Sequence, residues 1–304
     1  MPNLNSDDII CSQLDIKVRS LEKIMDADVL AFNAPLINIV DNYVRDFIEL
    51  LQMRTKKRKR LVFILTTNGG YIEIVHRIVD TIRHYYEHVS FIVPDYAYSA
   101  GTVLAMSGDA IYMDYYSRLG PIDPQVELAN GHMVPALGYL IQWERLLKKA
   151  KDGTLTQAEQ ELMATSFDQA ELYKFEQERQ LSITLLEEWL VKYKFKNWDK
   201  TRTKKENVTT KMKRERANQI AKELNNTERW HVHGHGISME VLRRDDINLI
   251  IDDFGENRDL NAAIKKYYNL LQDYTIKSGA QGALHIVGVY KPLWQEEAEN
   301  DNSN

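Results

Sequence analysis

The feature that most constrains the fold is an alternation of short apolar runs with helical patterns between residues 28 and 126. The apolar runs have the length of buried strands and lie at residues 29–32, 61–65, 89–93 and 110–113. Between them, residues 36–53 and 71–84 repeat apolar side chains at helical spacing. Short connections between such elements predict a mostly parallel sheet flanked by helices. We therefore expect an α/β core over this part of the chain.

The rest of the chain divides by composition and pattern into further segments. They are an N-terminal helical segment (1–27), a helical arm (127–191), a charged linker with a helix (192–230), a C-terminal segment that completes the fold (231–294) and a disordered tail (295–304). Within the arm, Lys151-Asp152-Gly153 predicts a break between helices. Thr156 followed by Glu159 predicts the start of the next helix, because this pair can form a reciprocal cap.

Charge and cysteine content argue against several classes of protein. The chain has 39 lysine and arginine residues against 44 aspartate and glutamate residues, so it gives no reason to expect a nucleic acid partner. Its single cysteine, Cys11, has no internal disulfide partner, which favours a reducing, cytoplasmic location. The polar N-terminus predicts no secretion signal, and the apolar runs are far shorter than the roughly 20 residues of a membrane-spanning helix. We expect neither a metal nor another cofactor.

Two small-residue motifs follow successive strands of the predicted core. Gly69-Gly70 lies between a strand and a helix, where glycine allows backbone N–H groups to converge on one point. Ser99 lies one strand later, at the predicted start of a helix, where unsatisfied N–H groups favour developing negative charge. Taken alone, the first motif is typical of a turn and the second of a helix N-cap. Together they indicate a nucleophile beside an oxyanion hole.

Four short motifs lie in the core: LTTNGG (65–70), AYSAGT (97–102), SGD (107–109) and LGPIDPQ (119–125). Together they resemble the motifs of the Clp protease and signal-peptide-peptidase-A superfamily, and most of all those of its branch of serine dehydrogenase proteinases. The resemblance implies a ClpP/crotonase-like spiral of ββα units, a homo-oligomer and a serine peptidase that cleaves a peptide or protein. It implies Ser99 as the nucleophile, with the N–H groups of Gly69 or Gly70 and of Ala100 as oxyanion donors. We expect the substrate to bind as an added strand beside Gly69-Gly70.

The motifs leave the general base open. Clp proteases carry a histidine in the segment that corresponds to residues 117–124, but this chain has none there. Signal-peptide-peptidase-A relatives use a lysine, and the resemblance of residues 154–162 to the segment after it points to Lys151 first and Lys149 second. A lysine can act as a base when desolvation lowers its pKa. The same lysines also fit a solvated, basic helix end.

Histidines in residues 231–235 offer another source of the base. On a strand, His231, His233 and His235 would share one face, and His233 is the strongest candidate among them. The spacing also suits a metal site, but no cysteine or carboxylate matches it, and a structural role in a loop is a further alternative. Residues 230–237 resemble a histidine-containing segment of the serine dehydrogenase proteinases.

The sequence favours a serine endopeptidase with a Ser-Lys dyad or a Ser-His variant. Two other functions stay open. Crotonase-like chemistry on an acyl-CoA could use the same fold, but it needs an oxyanion hole and a carboxylate rather than a serine. A catalytically silent interaction module would result if no base lies within reach of Ser99.

Overall fold

The computed structural model describes residues 5–55, 57–122, 125–127, 133–201, 203–230, 235–244 and 246–295. The strands are β1 (Asp28–Asn33), β2 (Arg60–Thr66), β3 (His88–Ile92), β4 (Tyr96–Ala97), β5 (Ala110–Met113), β6 (Arg118–Leu119), β7 (Gln125–Glu127), β8 (Met133–Pro135), β9 (Ile237–Ser238), β10 (Asp252–Asp253), β11 (Ala280–Ile286) and β12 (Val289–Gln295). The helices are α1 (Ser6–Met25), α2 (Val40–Gln52), α3 (Ile72–Tyr85), α4 (Ala100–Met106), α5 (Ala136–Lys151), α6 (Gln157–Ser166), α7 (Gln169–Trp189), α8 (Thr210–Leu224), α9 (Thr227–Trp230), α10 (Met239–Arg243) and α11 (Arg258–Lys277). A π-helical turn (Leu190–Lys194) extends α7, and a 3-10 turn (Phe254–Glu256) follows β10.

The central sheet has seven strands in the order β10-β5-β3-β2-β1-β11-β12. From β10 to β1 each strand is parallel to its neighbour, whereas β11 and β12 are antiparallel additions beside β1. In the middle of the sheet, Phe63 of β2 pairs with Leu30 of β1 and with Phe91 of β3. The predicted mostly parallel α/β fold is confirmed.

Strand β2 shows why the apolar runs of the sequence are continuous. Leu61, Phe63 and Leu65 pack in the apolar cluster that includes α2 and α3. Val62 and Ile64 pack in the opposite cluster, which includes α1 and α11. A parallel strand with helices on both faces buries every side chain, so it shows no polar alternation.

The hairpin of β11 and β12 was not foreseen from the sequence. It adds to the sheet through β1, with Ala31 opposite His285 and Asn33 opposite Ala283. A Cβ atom at Gly282 would lie 2.5 Å from Asn33 O, so the close approach of the two strands requires glycine there. Such a requirement depends on a partner strand that lies far away in the sequence.

The arm and linker contain more regular structure than the sequence indicates. As predicted, α5 ends at Lys151, and Thr156 caps α6 in a reciprocal pair with Glu159. The charged linker begins with the π-helical turn and then folds back, with Lys200 paired to Asn207. The division into domains stays a prediction, and residues 296–304 of the tail lie outside the described residues. None of the described helices combines the length and the apolar character needed to cross a bilayer.

A buried histidine links α1, α11 and β11. His285 Nδ1 lies 2.9 Å from Tyr267 Oη, and His285 Nε2 lies 3.3 Å from Asp15 Oδ1. Burial lowers the pKa of His285 to about 4, although Asp15 acts in the opposite direction. The imidazole is therefore neutral in the folded protein at neutral pH.

We expect this histidine to make the fold sensitive to acid. Its folded-state pKa lies below the unfolded value of about 6.5, so the unfolded chain binds the proton more readily. The contribution of His285 to the free energy of unfolding is intact above pH 6.5 and falls as the pH decreases toward 4. At pH 5 the free energy of unfolding should be lower by on the order of 1–2 kcal/mol. Urea unfolding at pH 7 and pH 5 measures the loss. The loss should shrink in His285→Gln and persist in His84→Gln, which changes an exposed histidine; an unchanged loss in His285→Gln would contradict this assignment.

Candidate active site

Ser99 lies where the chain passes from β4 into α4, beyond the carboxyl ends of β2 and β3. Its backbone has φ 51° and ψ −119°, a conformation that residues with a side chain rarely adopt. Thr102 supports this turn, because its Oγ1 atom lies 2.8 Å from Ala97 O and accepts the N–H of Gly120 at 2.9 Å. Such strain persists only where the surrounding structure holds the residue in place.

The side chain of Ser99 does not play the usual role of a serine before a helix. It makes no capping hydrogen bond to α4, whereas Thr156 accepts one from Glu159 N at the start of α6. Ser99 is also fully buried, so its hydroxyl lies inside the protein. The geometry therefore argues against the N-cap alternative that the sequence leaves open.

Gly69-Gly70 packs directly against the Ser99 turn. A Cβ atom at Gly69 would lie 2.9 Å from Ser99 Cβ, and one at Gly70 would lie 2.2 Å from Leu36 O. Both glycines have positive φ, at 102° and 147°. Leu36 N donates to Gly69 O and Tyr71 N donates to Leu36 O, both at 2.8 Å. No larger residue fits either position, which explains the Gly-Gly motif.

The N–H groups around Ser99 differ in their availability. Gly69 N donates to Thr67 Oγ1 at 3.1 Å, so that amide is already engaged. None of the described residues accepts a hydrogen bond from the N–H of Gly70 or of Ala100. Of the amides suggested by the sequence, Gly70 and Ala100 are thus the pair that could stabilise an oxyanion. Thr67 therefore decides which of the two glycines has an available N–H group.

The two candidate lysines lie at the end of α5, which packs against α6 and α7. Lys149 is half exposed and forms an ion pair with Glu159, and this contact lowers the pKa of the Glu159 carboxyl to about 2. Lys151 is exposed. A lysine that acts as a base must lose its proton at neutral pH, which usually requires desolvation. Neither position provides that environment in this chain.

The small sheet β4-β6-β9 brings His235 and Gly236, which precede β9, toward the chain that leads to Ser99. Ala97 pairs with Leu119, and Leu119 pairs with Ile237. Because β9 is antiparallel to β6, the chain before Ile237 and the chain after Ala97 leave this sheet at the same end. His235 is exposed, with its ring 5.5 Å from that of Trp230. His231 and His233 lie outside the described residues.

Tyr268 of α11 joins the ends of the strands that lead to the site. Its Oη atom lies 3.2 Å from Thr66 Oγ1 and 3.4 Å from Asp95 Oδ2. Thr66 ends β2 and Asp95 immediately precedes β4, so this network connects the segments that carry Gly69 and Ser99. Burial raises the pKa of Asp95. The helical pattern of α11 could not show which strand ends Tyr268 would contact.

A match to a protein family agrees with the motifs quoted above. Residues 34–178, a little under half of the chain, match the profile of a family described as ClpP-like SDH-type serine proteinase. The matched segment contains Gly69, Gly70, Ser99 and Ala100. The match confirms the resemblance drawn from the sequence and supports a serine peptidase at the level of the family.

Similar proteins include two uncharacterized proteins of Methanocaldococcus jannaschii. MJ0137 is 32% identical over 103 residues, which are 34% of this chain and 35% of that protein. MJ1495 is 32% identical over 92 residues, which are 30% of each chain. The chain therefore matches about a third of the length of each relative.

Two solved structures are similar at low sequence identity. A mutant of 1510-N, a membrane-bound stomatin-specific protease, in complex with a substrate peptide has a TM-score of 0.44 and 15% identity, covering 87% of this chain and 85% of that chain. ClpP1 from Listeria monocytogenes has a TM-score of 0.40 and 12% identity, covering 77% of this chain and 98% of that chain.

The strain at Ser99 can be measured by comparing two substitutions. Ser99→Gly should be about 1 kcal/mol more stable than Ser99→Ala, because glycine adopts this φ and ψ freely and alanine keeps the strain. Ser107 is a matched control, since it is also buried but has an ordinary helical φ of −74°. There the glycine variant should be the less stable of the two, by about 0.5–1 kcal/mol. Urea unfolding measures both pairs, and a Ser99→Gly protein less stable than Ser99→Ala would refute the claim of strain.

Proposed function

We propose that the protein is a serine endopeptidase in which Ser99 Oγ attacks the carbonyl carbon of a peptide bond. The observation that carries the proposal is the strained backbone of Ser99 packed against Gly69-Gly70. A sharp turn between a strand and a helix, held in a rare backbone conformation, is a recurrent way to present a nucleophilic serine. The match to a serine proteinase family adds independent support.

The N–H groups of Gly70 and Ala100 supply the oxyanion hole in this proposal. Attack by Ser99 places negative charge on the former carbonyl oxygen, and two amide donors held in place stabilise it. The support is that neither N–H has an acceptor among the described residues, whereas Gly69 N donates to Thr67 Oγ1. The hydrogen bond from Leu36 N to Gly69 O orients the peptide plane that carries the Gly70 N–H.

His233 is the base that we propose, with Lys151 and Lys149 as the alternatives. The base accepts the Ser99 proton, donates it to the leaving amine, and then activates the water that hydrolyses the acyl-enzyme. The register of β4, β6 and β9 supports a base from the histidine segment. The exposure of Lys151 and the ion pair of Lys149 with Glu159 count against a lysine in the isolated chain.

The substrate in this proposal is an extended peptide or protein segment. One side of Gly69-Gly70 is already paired with Leu36, so the added strand would use the other side. Because Ser99 is fully buried, the residues that cover it must move before a carbonyl carbon can reach Oγ.

We also propose a homo-oligomer in the cytoplasm that requires no cofactor and binds no nucleic acid. A serine in place of the carboxylate base makes crotonase-like chemistry the weaker alternative.

The role of Ser99 can be tested with a fluorophosphonate probe and with casein cleavage. Ser99→Ala should lose probe labelling and cleavage, because the nucleophilic oxygen is removed. Ser107→Ala is the matched control, since Ser107 is also buried and lies at the other end of α4. It should be labelled and cleave like the wild type. Equal labelling and cleavage by Ser99→Ala would exclude the proposed nucleophile and favour a silent interaction module.

The base can be identified by comparing the rates at which three variants react with the fluorophosphonate probe. His233→Gln should slow the reaction by about 10²–10⁴-fold, which is the usual contribution of general base catalysis. Lys151→Met and Lys149→Met should leave the rate roughly unchanged. With a histidine base, the wild-type rate should rise with pH around roughly 6.5. A large loss in either lysine variant, with His233→Gln unaffected, would replace the histidine with that lysine.

A further inference from the structure

A cavity of about 550 Å³ lies at the opposite end of the parallel sheet from Ser99. Asp109, which lines it, immediately precedes β5, and Asn248 and Ile250 precede β10. The amino ends of parallel strands share one edge of the sheet, whereas Ser99 follows the carboxyl ends. The cavity is therefore separate from the proposed active site, and its volume is typical of a site for a small molecule.

Lys194 reaches this cavity from the π-helical turn at the end of α7. Phe195 N donates to Leu190 O at 2.8 Å, which closes the wider turn. Such turns inside α-helices are frequently found at functional sites. Lys194 Nζ forms no hydrogen bond or ion pair with the described residues. Burial lowers the pKa of Lys194 to about 8, and a bound anion would offset the cost of its buried charge.

Two further cations, Lys200 and Arg216, also line the cavity. Arg216 Nη1 donates to Gln219 Oε1 at 3.0 Å, and its other terminal nitrogen donates to Ile247 O. These contacts orient the guanidinium group. The linker loop that carries Lys200 is folded back on itself, with Lys200 paired to Asn207.

The cavity carries an excess of positive charge. Asp109 is already paired with Arg83 Nη1 at 2.7 Å and accepts Val89 N at 2.8 Å. Asp252 is the other carboxylate in the lining. The three cations thus face one carboxylate that is not already in an ion pair with an arginine, which favours an anionic ligand.

The remaining lining groups suit an organic phosphate better than a bare ion. Thr201 and Thr203 can donate hydroxyl hydrogen bonds to phosphate oxygens, as lysine and arginine do. Trp198 and Ile250 offer an aromatic ring and an apolar surface on which a planar group can pack. Ile250 is 60% exposed, so its apolar surface is uncovered in this structure.

We propose that this cavity binds a small organic phosphate. Its phosphate group lies among Lys194, Lys200 and Arg216, and its apolar part packs against Trp198 and Ile250. The site does not depend on Ser99 or on peptide cleavage. A nucleoside monophosphate has both parts and is the probe of choice.

Isothermal titration calorimetry on the full chain tests the proposal with AMP, adenosine and inorganic phosphate. AMP should bind at least about tenfold more tightly than adenosine, because the charge-assisted contacts to phosphate are lost in adenosine. Inorganic phosphate should bind more weakly than AMP and compete with it. Lys194→Met and Lys200→Met should each weaken AMP binding by about tenfold.

Two controls separate this site from the rest of the protein. Lys192→Met changes an exposed lysine of the same π-helical turn and should bind AMP like the wild type. Ser99→Ala should also bind AMP unchanged, whatever its peptidase activity. Equal affinity for AMP and adenosine would overturn the proposal, as would wild-type AMP affinity in both Lys194→Met and Lys200→Met. Absence of binding by both AMP and inorganic phosphate at roughly millimolar concentrations would overturn it as well.

Discussion

The close approach of three backbone segments at Gly69-Gly70 is the constraint on which the rest of the site depends. One glycine packs against Ser99 and the other against the carbonyl of Leu36, at distances that leave no room for a Cβ atom. The end of β2 is thereby held between the chain that follows β1 and the turn that leads into α4. Packing and proposed catalysis use the same atoms, so neither glycine can change without moving the amides beside Ser99.

The strain at Ser99 is small compared with the packing that maintains it. A rare backbone conformation costs roughly 1–3 kcal/mol. Every residue of α4 is buried, and full burial of each large side chain such as Val103, Leu104 or Met106 contributes about 1.5–3 kcal/mol. Burial of this helix therefore outweighs the strain at its first turn. The hydrogen bonds of Thr102 then determine where the strained residue lies.

The parallel sheet places two chemically different regions at its two ends. The carboxyl end carries a buried serine, glycines and amides, which suit acyl transfer through fixed backbone dipoles. The amino end carries a cavity with Lys194, Lys200 and Arg216, which suit a charged small molecule. Helix α7 packs against α3 and α4 and ends in the turn that carries Lys194, so one helix contacts the elements of the first region and forms part of the second.

Local sequence determined the core strands β1, β2, β3 and β5, most helices and the position of Ser99 before α4. Burial on both faces makes parallel strands continuous apolar runs, and helical spacing and caps such as Thr156 depend on near neighbours. The resemblance of short motifs identified Gly69-Gly70 and Ser99 as a unit. Only the tertiary structure decided that Thr67 engages Gly69 N and leaves Gly70 available.

Tertiary structure also decided the surroundings of the candidate bases and of the cavity at the amino end of the sheet. The sequence could not show that Lys149 would pair with Glu159, or that β9 would join the small sheet that contains β4, the strand before Ser99. It read residues 192–230 as a charged linker with a helix, whereas the fold turns Lys194 into a cavity beside β5 and β10. Short-range patterns are set by neighbours along the chain, but burial and pairing of a polar group are set by residues far away in the sequence. The fold and the position of Ser99 were therefore accessible from the sequence, and the environment of each polar group was decided by tertiary packing.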